Sequence, residues 1–407
     1  MKKYAAHSGS AVRWLSALAA VVFIVFTRPA AAQFGGLVQF GYALTDLGSG
    51  AHMGWSFANA IDNSGRVVGD AVFGNGQSVA YETGANAAIT TGSYLGVVSG
   101  DSTASGLAIN NNGVVAGTSV HFNPTQNHAF YYGLNAPQMI AVMPPQLPIV
   151  ANDMFGQGIN DSGEEVGIFT NGFKNNVSHA YFSVLPGVAQ PLDGWLNNPS
   201  GSAAFDINNL EQIVGWRLES GTFGSQPIAF FLDFTTWPIS GLPRPIDIGT
   251  LQGGITSQAF SINDNSQVVG QSDKWIATQR WTHAFLFQDA NHNYAADAGE
   301  MIDLDVLGTP WSAATCINNN GLAVGYSGDP SITNGSSRAY SFTGAAMNDL
   351  NAMVFGGTGV WTLRVATGIN DSGQIVGFME DNNPDQQARV RHAFRLDPTY
   401  RLRPIVR

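Results

Sequence analysis

The chain has 407 residues, 44% apolar and 12% charged, enough apolar content to build one repeat array or two average domains around a real core. Its 18 basic and 29 acidic residues give a formal charge of −11, which argues against nucleic acid as a partner because phosphate binding needs clustered positive charge. Cys316 is the one cysteine, so no internal disulfide can form and stability must come from packing or bound ions.

At the N-terminus Lys2, Lys3 and Arg13 precede an apolar run over 15–26, which is followed by Arg28-Pro29-Ala30-Ala31-Ala32-Gln33. A basic region, an apolar segment and a small-x-small site together read as a signal peptide cut after Ala32. The run is short of the roughly 20 residues that cross a bilayer, and nothing later comes closer, so no membrane span is expected after cleavage. An uncleaved anchor is the alternative. Removing 1–32 takes away four basic residues and no acidic one, leaving a mature chain, 33–407, with 14 basic residues against 29 acidic and a charge of −15. The expectation is export to the periplasm or the extracellular medium.

Residues 42–48, Tyr-Ala-Leu-Thr-Asp-Leu-Gly, read as a strand standing before any repeat. The phrase Ile-Asn-Asp-Ser-Gly-Gln-Ile-Val-Gly at 369–377 then has versions starting at Ile61, Ile109, Ile159, Ile207, Ile262 and Ile317. Successive copies lie 48 to 55 residues apart. About twenty residues after each comes an Ala-aromatic pair: Ala80-Tyr81, Ala129-Phe130, Ala180-Tyr181, Ala229-Phe230, Ala284-Phe285, Ala339-Tyr340 and Ala393-Phe394.

Each unit reads as an antiparallel meander. In the second copy Leu107 to Asn110 is a strand, Asn111-Asn112-Gly113 a turn and Val114 to Val120 a second strand. Asx early and Gly late suit a type I turn followed by a residue with positive φ. Glu211 and Ser266 replace that glycine in copies four and five, so those turns are expected to be strained or reshaped. The glycine that closes every phrase (Gly69, Gly117, Gly167, Gly215, Gly270, Gly325 and Gly377) suggests a bulge or a close approach between neighbouring units. A third strand carries the Ala-aromatic pair, and segments such as 301–304 and 347–350 supply a fourth.

Four short strands cannot bury both faces alone, so each sheet needs neighbours. The expected fold is therefore all-β: a seven-bladed β-propeller of four-stranded repeats of about fifty residues. The runner-up is an open β-solenoid. Because 42–48 resembles the fourth-strand segment 246–251, the N-terminal strand is expected to close the ring by completing the last sheet, with 400–406 as its competitor.

The motifs also resemble a family, the bacterial extracellular proteins with HAF repeats. His128-Ala129-Phe130, His283-Ala284-Phe285 and His392-Ala393-Phe394 match the repeat's name, and His179-Ala180-Tyr181 is close. The Asn-Asx-Gly phrase and the segment Asp247-Ile248-Gly249-Thr250-Leu251-Gln252-Gly253-Gly254 match as well. The resemblance covers nearly all of 33–407 and implies a single exported repeat domain of β-structure; it carries over no activity.

Little catalytic chemistry is legible. The four repeat histidines occupy equivalent places in different units, so they read as packing or hydrogen bonding within a blade rather than as a metal cluster. Cys316 falls where other copies carry Ala60, Ala108, Gly158 and Gly368, and reads as a small buried filler rather than a nucleophile. Asp153, Asp193 and Glu219 break the repeat without a visible partner, and read as solvated carboxylates. No nucleotide loop, Gly-x-Ser-x-Gly or His-Glu-x-x-His motif occurs.

Copy five inserts Asp289-Ala290-Asn291-His292-Asn293-Tyr294-Ala295-Ala296-Asp297-Ala298-Gly299-Glu300. Oxygen side chains at Asp289, Asn291, Asn293, Asp297 and Glu300, with the carbonyl of Ala295, follow the ligand spacing of an EF-hand-type calcium loop. Tyr294 at the position of the usual glycine departs from that pattern, and a polar hairpin tip is the alternative.

Trp195, Trp237, Trp275, Trp281 and Trp311 lie in the stretches between phrases, where they could stack on sugars or grip a protein, or pack beneath loops. The expected function is a non-enzymatic, monomeric binding or scaffolding module for an extracellular glycan or protein. The alternative is an extracellular polysaccharide hydrolase or lyase using carboxylates at the channel mouth.

Overall fold

A computed structural model describes residues 38–48, 54–122, 125–134, 138–145, 151–171, 177–197, 200–221, 224–234, 245–291, 293, 295–329, 337–385 and 388–402. The signal peptide expected over 1–32 and Trp237 lie outside these residues. Phe40–Tyr400 form one compact unit; of the other, Met1–Gln39 with Arg401–Arg407, only Val38, Gln39, Arg401 and Leu402 are described.

Every phrase turns one strand into the next. In the second copy Thr103–Ile109 pairs antiparallel with Val115–Phe122, which pairs with Thr125–Tyr132, which pairs with Ile140–Ala141. Asn110 shapes the turn: its Oδ1 accepts the N–H groups of Asn112 at 3.1 Å and Val114 at 2.9 Å, and Gly113 sits at φ +80. Glu211 and Ser266 keep the same turn at φ +58 and +59, as the missing glycines led one to expect. A side chain held there costs about 1–2 kcal/mol.

The described residues form seven four-stranded antiparallel sheets in this pattern. The strand entering each phrase is innermost. Trp55–Ile61, Thr103–Ile109, Ala151–Ile159, Ser202–Ile207, Ser257–Ile262, Ser312–Ile317 and Trp361–Ile369 pack one against the next, and the last returns to the first. This is the expected seven-bladed propeller, a closed ring rather than a solenoid.

The phrase-closing glycines are explained within each blade. A Cβ on any of the seven would lie 1.9 to 2.2 Å from a carbonyl oxygen of its own innermost strand, which bulges opposite it. The bulge was expected; the close approach is to the same blade rather than to a neighbouring one. The Ala-aromatic pairs are wholly buried. The core lies between blades, as where Phe130 and Val115 of the second meet Val68 and Ala80 of the first.

Val38–Gly48 is the outermost strand of the last sheet, beside Arg391–Leu402, Ile375–Asp381 and Trp361–Ile369. The N-terminal strand thus closes the ring, and Tyr400–Leu402 extend the third strand instead of competing for the fourth place. Ring closure has a side-chain anchor: Leu47, 1% exposed, packs with Ala58, Tyr81, Val376 and Ala393. Leu47→Ala is expected to lower stability by about 3 kcal/mol through lost burial and the cavity left behind. Urea unfolding measures this, and an unchanged midpoint would contradict a closing role for this strand.

Candidate functional site

The seven inner turns meet at one mouth of the central channel, around an open cavity of about 180 Å³. Two rings of hydrogen bonds run round it. In the first, Nδ2 of Asn110, Asn160, Asn208, Asn263, Asn318 and Asn370 each donates to the backbone oxygen of the equivalent residue in the next blade, at 2.8 to 3.1 Å. Asp62 holds the seventh place and has no proton to donate; its Oδ2 instead takes Nε and Nη2 of Arg66, both at 2.7 Å.

The second ring is complete. The N–H of each following residue, in the order Asn63, Asn111, Asp161, Asn209, Asp264, Asn319, Asp371 and back to Asn63, donates to Oδ1 of the next, at 2.7 to 3.0 Å. The three carboxylates also accept side-chain amides from Asn63, Asn111, Asn209 and Asn319. These acids therefore hold the blades together. The residues lining the mouth are Ile, Asn and Asp, and its carboxylates are those of Asp62, Asp161, Asp264 and Asp371.

Above this mouth, one position before the phrase isoleucine, Asp206, Ser261 and Cys316 follow one another in blades four, five and six. Burial pushes Asp206 up to about 6, although the N–H groups of Ile262 and Ile207 at 3.0 and 2.9 Å and the Ser261 hydroxyl oppose this. Burial, then the Asp206 carboxylate, pushes the Cys316 thiol up to about 11, and the Ser261 hydroxyl lies 3.9 Å from its sulfur. A thiol so hard to ionise is a poor nucleophile, in keeping with a filler role.

The repeat histidines each pair with a carboxylate of their own blade: His128 with Asp101 at 3.0 Å, His179 with Asp193 at 2.8 Å, His283 with Asp303 at 3.0 Å and His392 with Asp46 at 3.0 Å. Arg338, in the slot of a missing histidine, holds Asp349 at 2.8 Å. The last histidine pair joins the third strand of the final blade to the N-terminal strand. Among the described residues no group of three or more His, Cys, Asp or Glu side chains could hold a metal ion.

The acids that break the repeat are not free. Asp153 accepts from Asn127 and Thr170, and Asp193 from His179 and Ser202. Glu219 and Asp247 share Arg217 at 2.6 and 2.7 Å on the second and fourth strands of blade four, away from the channel. Each thus has a donor that the sequence did not show, while the Asp193 and Glu219 side chains remain 26% and 40% exposed.

The loop 289–300 joins the third and fourth strands of blade five. Nδ2 of Asn291 and of Asn293 both reach Oδ2 of Asp297 at 2.7 Å, and the N–H of Asn293 reaches Oδ1 of Asp289 at 3.2 Å. Glu300 accepts the N–H groups of Ala290 at 3.0 Å and Asp297 at 2.8 Å, and Ala295 donates its own to Oδ1 of Asn293. His292 and Tyr294 lie outside the described residues.

The tryptophans sort by depth. Trp195, half-buried in a turn, packs edge-on against Phe234. Trp275 and Trp311 are 49% and 43% exposed, and Trp281 meets Trp311 edge to face at 6.3 Å. Trp55, not singled out from the sequence, is 42% exposed beneath the Arg391 guanidinium at 5.2 Å. Each innermost strand ends at the amide-lined mouth, so strand starts such as Trp55 and Trp311, and second-strand ends such as Trp275, all lie at the opposite face.

A family model described as "Protein of unknown function (DUF3466)" matches residues 255–400, the span of the last three blades. No curated protein matches. Among solved structures, the chain is similar to the β-propeller domain of the Trilobed protease from Pyrococcus furiosus, at 8% identity over 86% of this chain and 95% of that one, with a TM-score of 0.50. Polysaccharide lyase Uly1 matches at 7% identity over 88% and 99% with a TM-score of 0.44, and the BP39L lectin from Burkholderia pseudomallei at 12% over 85% and 96% with 0.39. At these identities the likeness to the protease domain concerns the fold alone.

The His283 pair gives a stability prediction. Burial works against the Asp303 carboxylate, but hydrogen bonds from His283 and Lys274 hold it down to about 2. A carboxyl lower in the fold than in the unfolded chain stabilises above about pH 4, and that contribution fades as pH falls towards 2. Asp303→Asn is expected to flatten the loss of melting temperature between pH 4 and 2; an unaltered profile would refute this.

Proposed function

We propose that this protein is an exported HAF-repeat propeller that acts without catalysis, as a binding or scaffolding module for an extracellular glycan or protein. One observation carries the reading: exposed Trp55, Trp275 and Trp311 share the face opposite the amide-lined mouth. Broad apolar rings at a wet surface stack on the C–H face of a sugar or anchor a partner protein. At the other mouth the side-chain donors and acceptors are engaged in the ring's own hydrogen bonds.

The test is a glycan and cell-wall polysaccharide array probed with purified 33–407. A hit is expected to weaken at least about tenfold in Trp275→Ala or Trp311→Ala, about 1.4 kcal/mol each, and to survive in Trp195→Phe. Loss in the packed Trp195 control alone, or cleavage products from a bound polysaccharide, would overturn it, the latter in favour of the hydrolase or lyase.

The loop 289–300 is proposed as a calcium site of weak to moderate affinity, with Asp289, Asn291, Asn293, Asp297, Glu300 and the Ala295 carbonyl as ligands. Its support is that Asn291 and Asn293 already converge on Asp297, so turning two amides presents their oxygens to a cation. Calorimetric titration with calcium is expected to give heat that disappears in the Asp289→Ala, Asp297→Ala double variant. No heat with the native protein ends the proposal.

A further inference from the structure

Glu165 stands where the other six blades carry Val67, Val115, Ile213, Val268, Ala323 and Ile375. It is as deeply buried as they are, at 0% exposed. Its Oε1 accepts the Tyr181 hydroxyl at 2.7 Å, and its Oε2 has no hydrogen-bond partner among the described residues. A buried acid that gains one neutral donor and no cation is costly to ionise.

The side chain reaches into the seam between the second and third blades. A Cβ on Gly156 would lie 2.6 Å from Oε1 and 2.8 Å from the carbonyl oxygen of Gly117 in the second blade, so the carboxyl fits because the innermost strand has glycine there. Around it the seam is apolar, with Ala116, Ala129, Met154 and Phe169. The titratable groups that face it are Tyr181 from its own blade and Tyr131 from the second, both phenols pushed up by burial.

We infer that the junction between the second and third blades is the ring's release point, opening when Glu165 loses its proton. While the acid is neutral, the seam stays shut through bonds such as Asn110 Nδ2 to the Asn160 oxygen and the Asn127 amide to Asp153. Among the described residues an ionised carboxylate has no counter-charge inside the seam, so it must be hydrated, and hydration requires the two blades to part.

The direction with pH follows from burial, which pushes the Glu165 carboxyl up to about 8 against the opposing bond from Tyr181. A carboxyl raised in the fold stabilises fully below its unfolded value, near 4.5, and that contribution is lost as pH rises through the folded value. Opening at this seam should therefore become easier by up to about tenfold per pH unit between pH 5 and 8, and level off above.

Hydrogen exchange on 33–407 at pH 5 to 9, corrected for the intrinsic rate, tests this. Amides of 154–159 and 166–169 are expected to show the rising opening constant, while those of 323–327 change less than about twofold. Glu165→Val, the residue type of the other blades, and Glu165→Gln, which keeps the Tyr181 bond, should both remove the slope. If either variant fails to fold, the other decides. Tyr181→Phe, which deletes the one donor, should move the plateau to higher pH. An equal slope at 323–327, or a slope that persists in a folded Glu165 variant, overturns the inference.

Discussion

An asparagine amide carries an acceptor and a donor on one rigid plane, and the inner turns of this propeller use both ends. Oδ1 accepts two N–H groups of its own turn, while Nδ2 crosses to the backbone of the next blade. One residue type therefore sets the turn and spaces the blades. A net hydrogen bond is worth about 1 kcal/mol, so no single one closes the ring; their placement at the innermost radius, where the strands crowd most closely, fixes the register of every blade against its neighbours. The bulge opposite the phrase-closing glycine follows, because the innermost strand must bend to bring its asparagine into that position.

This economy explains what was legible in the sequence. A residue that serves its own turn recurs at a constant place, so Ile-Asn-Asx and Ala-aromatic announce the repeat. The N-terminal strand was legible for the same reason: Asp46-Leu47-Gly48 resembles Asp247-Ile248-Gly249 because both end a fourth strand. Less visible were contacts that pass between blades in only some copies. Ser56, Ser202, Ser257 and Ser312 each accept the N–H of the repeat alanine in the preceding blade, at 2.8 to 2.9 Å. Copies two, three and seven have other residues there, which hides the pattern. Trp55 was missed because it begins a strand, where an aromatic residue reads as core.

The same bookkeeping separates the two faces of the ring. Every carboxylate at the amide-lined mouth is engaged by backbone or side-chain donors, and the repeat histidines are engaged by acids of their own blades. A ligand competing for the donors and acceptors at that mouth would have to break the closure. The opposite face has no such duty. Its strand ends vary in length from blade to blade, its aromatic side chains reach solvent, and Arg391 lies over Trp55 without tying it to the ring. Variation concentrates where the fold makes no demand, so the recurring residues report how the ring is built.

Departures inside the ring have to be compensated, and the kind of compensation differs. Asp62 lacks the amide proton of its six counterparts, and Arg66, a residue type found at that position in no other copy, balances its carboxylate with Nε and Nη2. Arg217 similarly holds both Glu219 and Asp247. Glu165 is accommodated by shape: Gly156 makes room for the carboxyl, and a neutral phenol meets one of its oxygens. Charge compensation leaves a pair whose ionisation is already balanced. Steric compensation leaves an acid that fits only while neutral, so the seam that holds it depends on proton concentration through a position that is apolar in the other six blades.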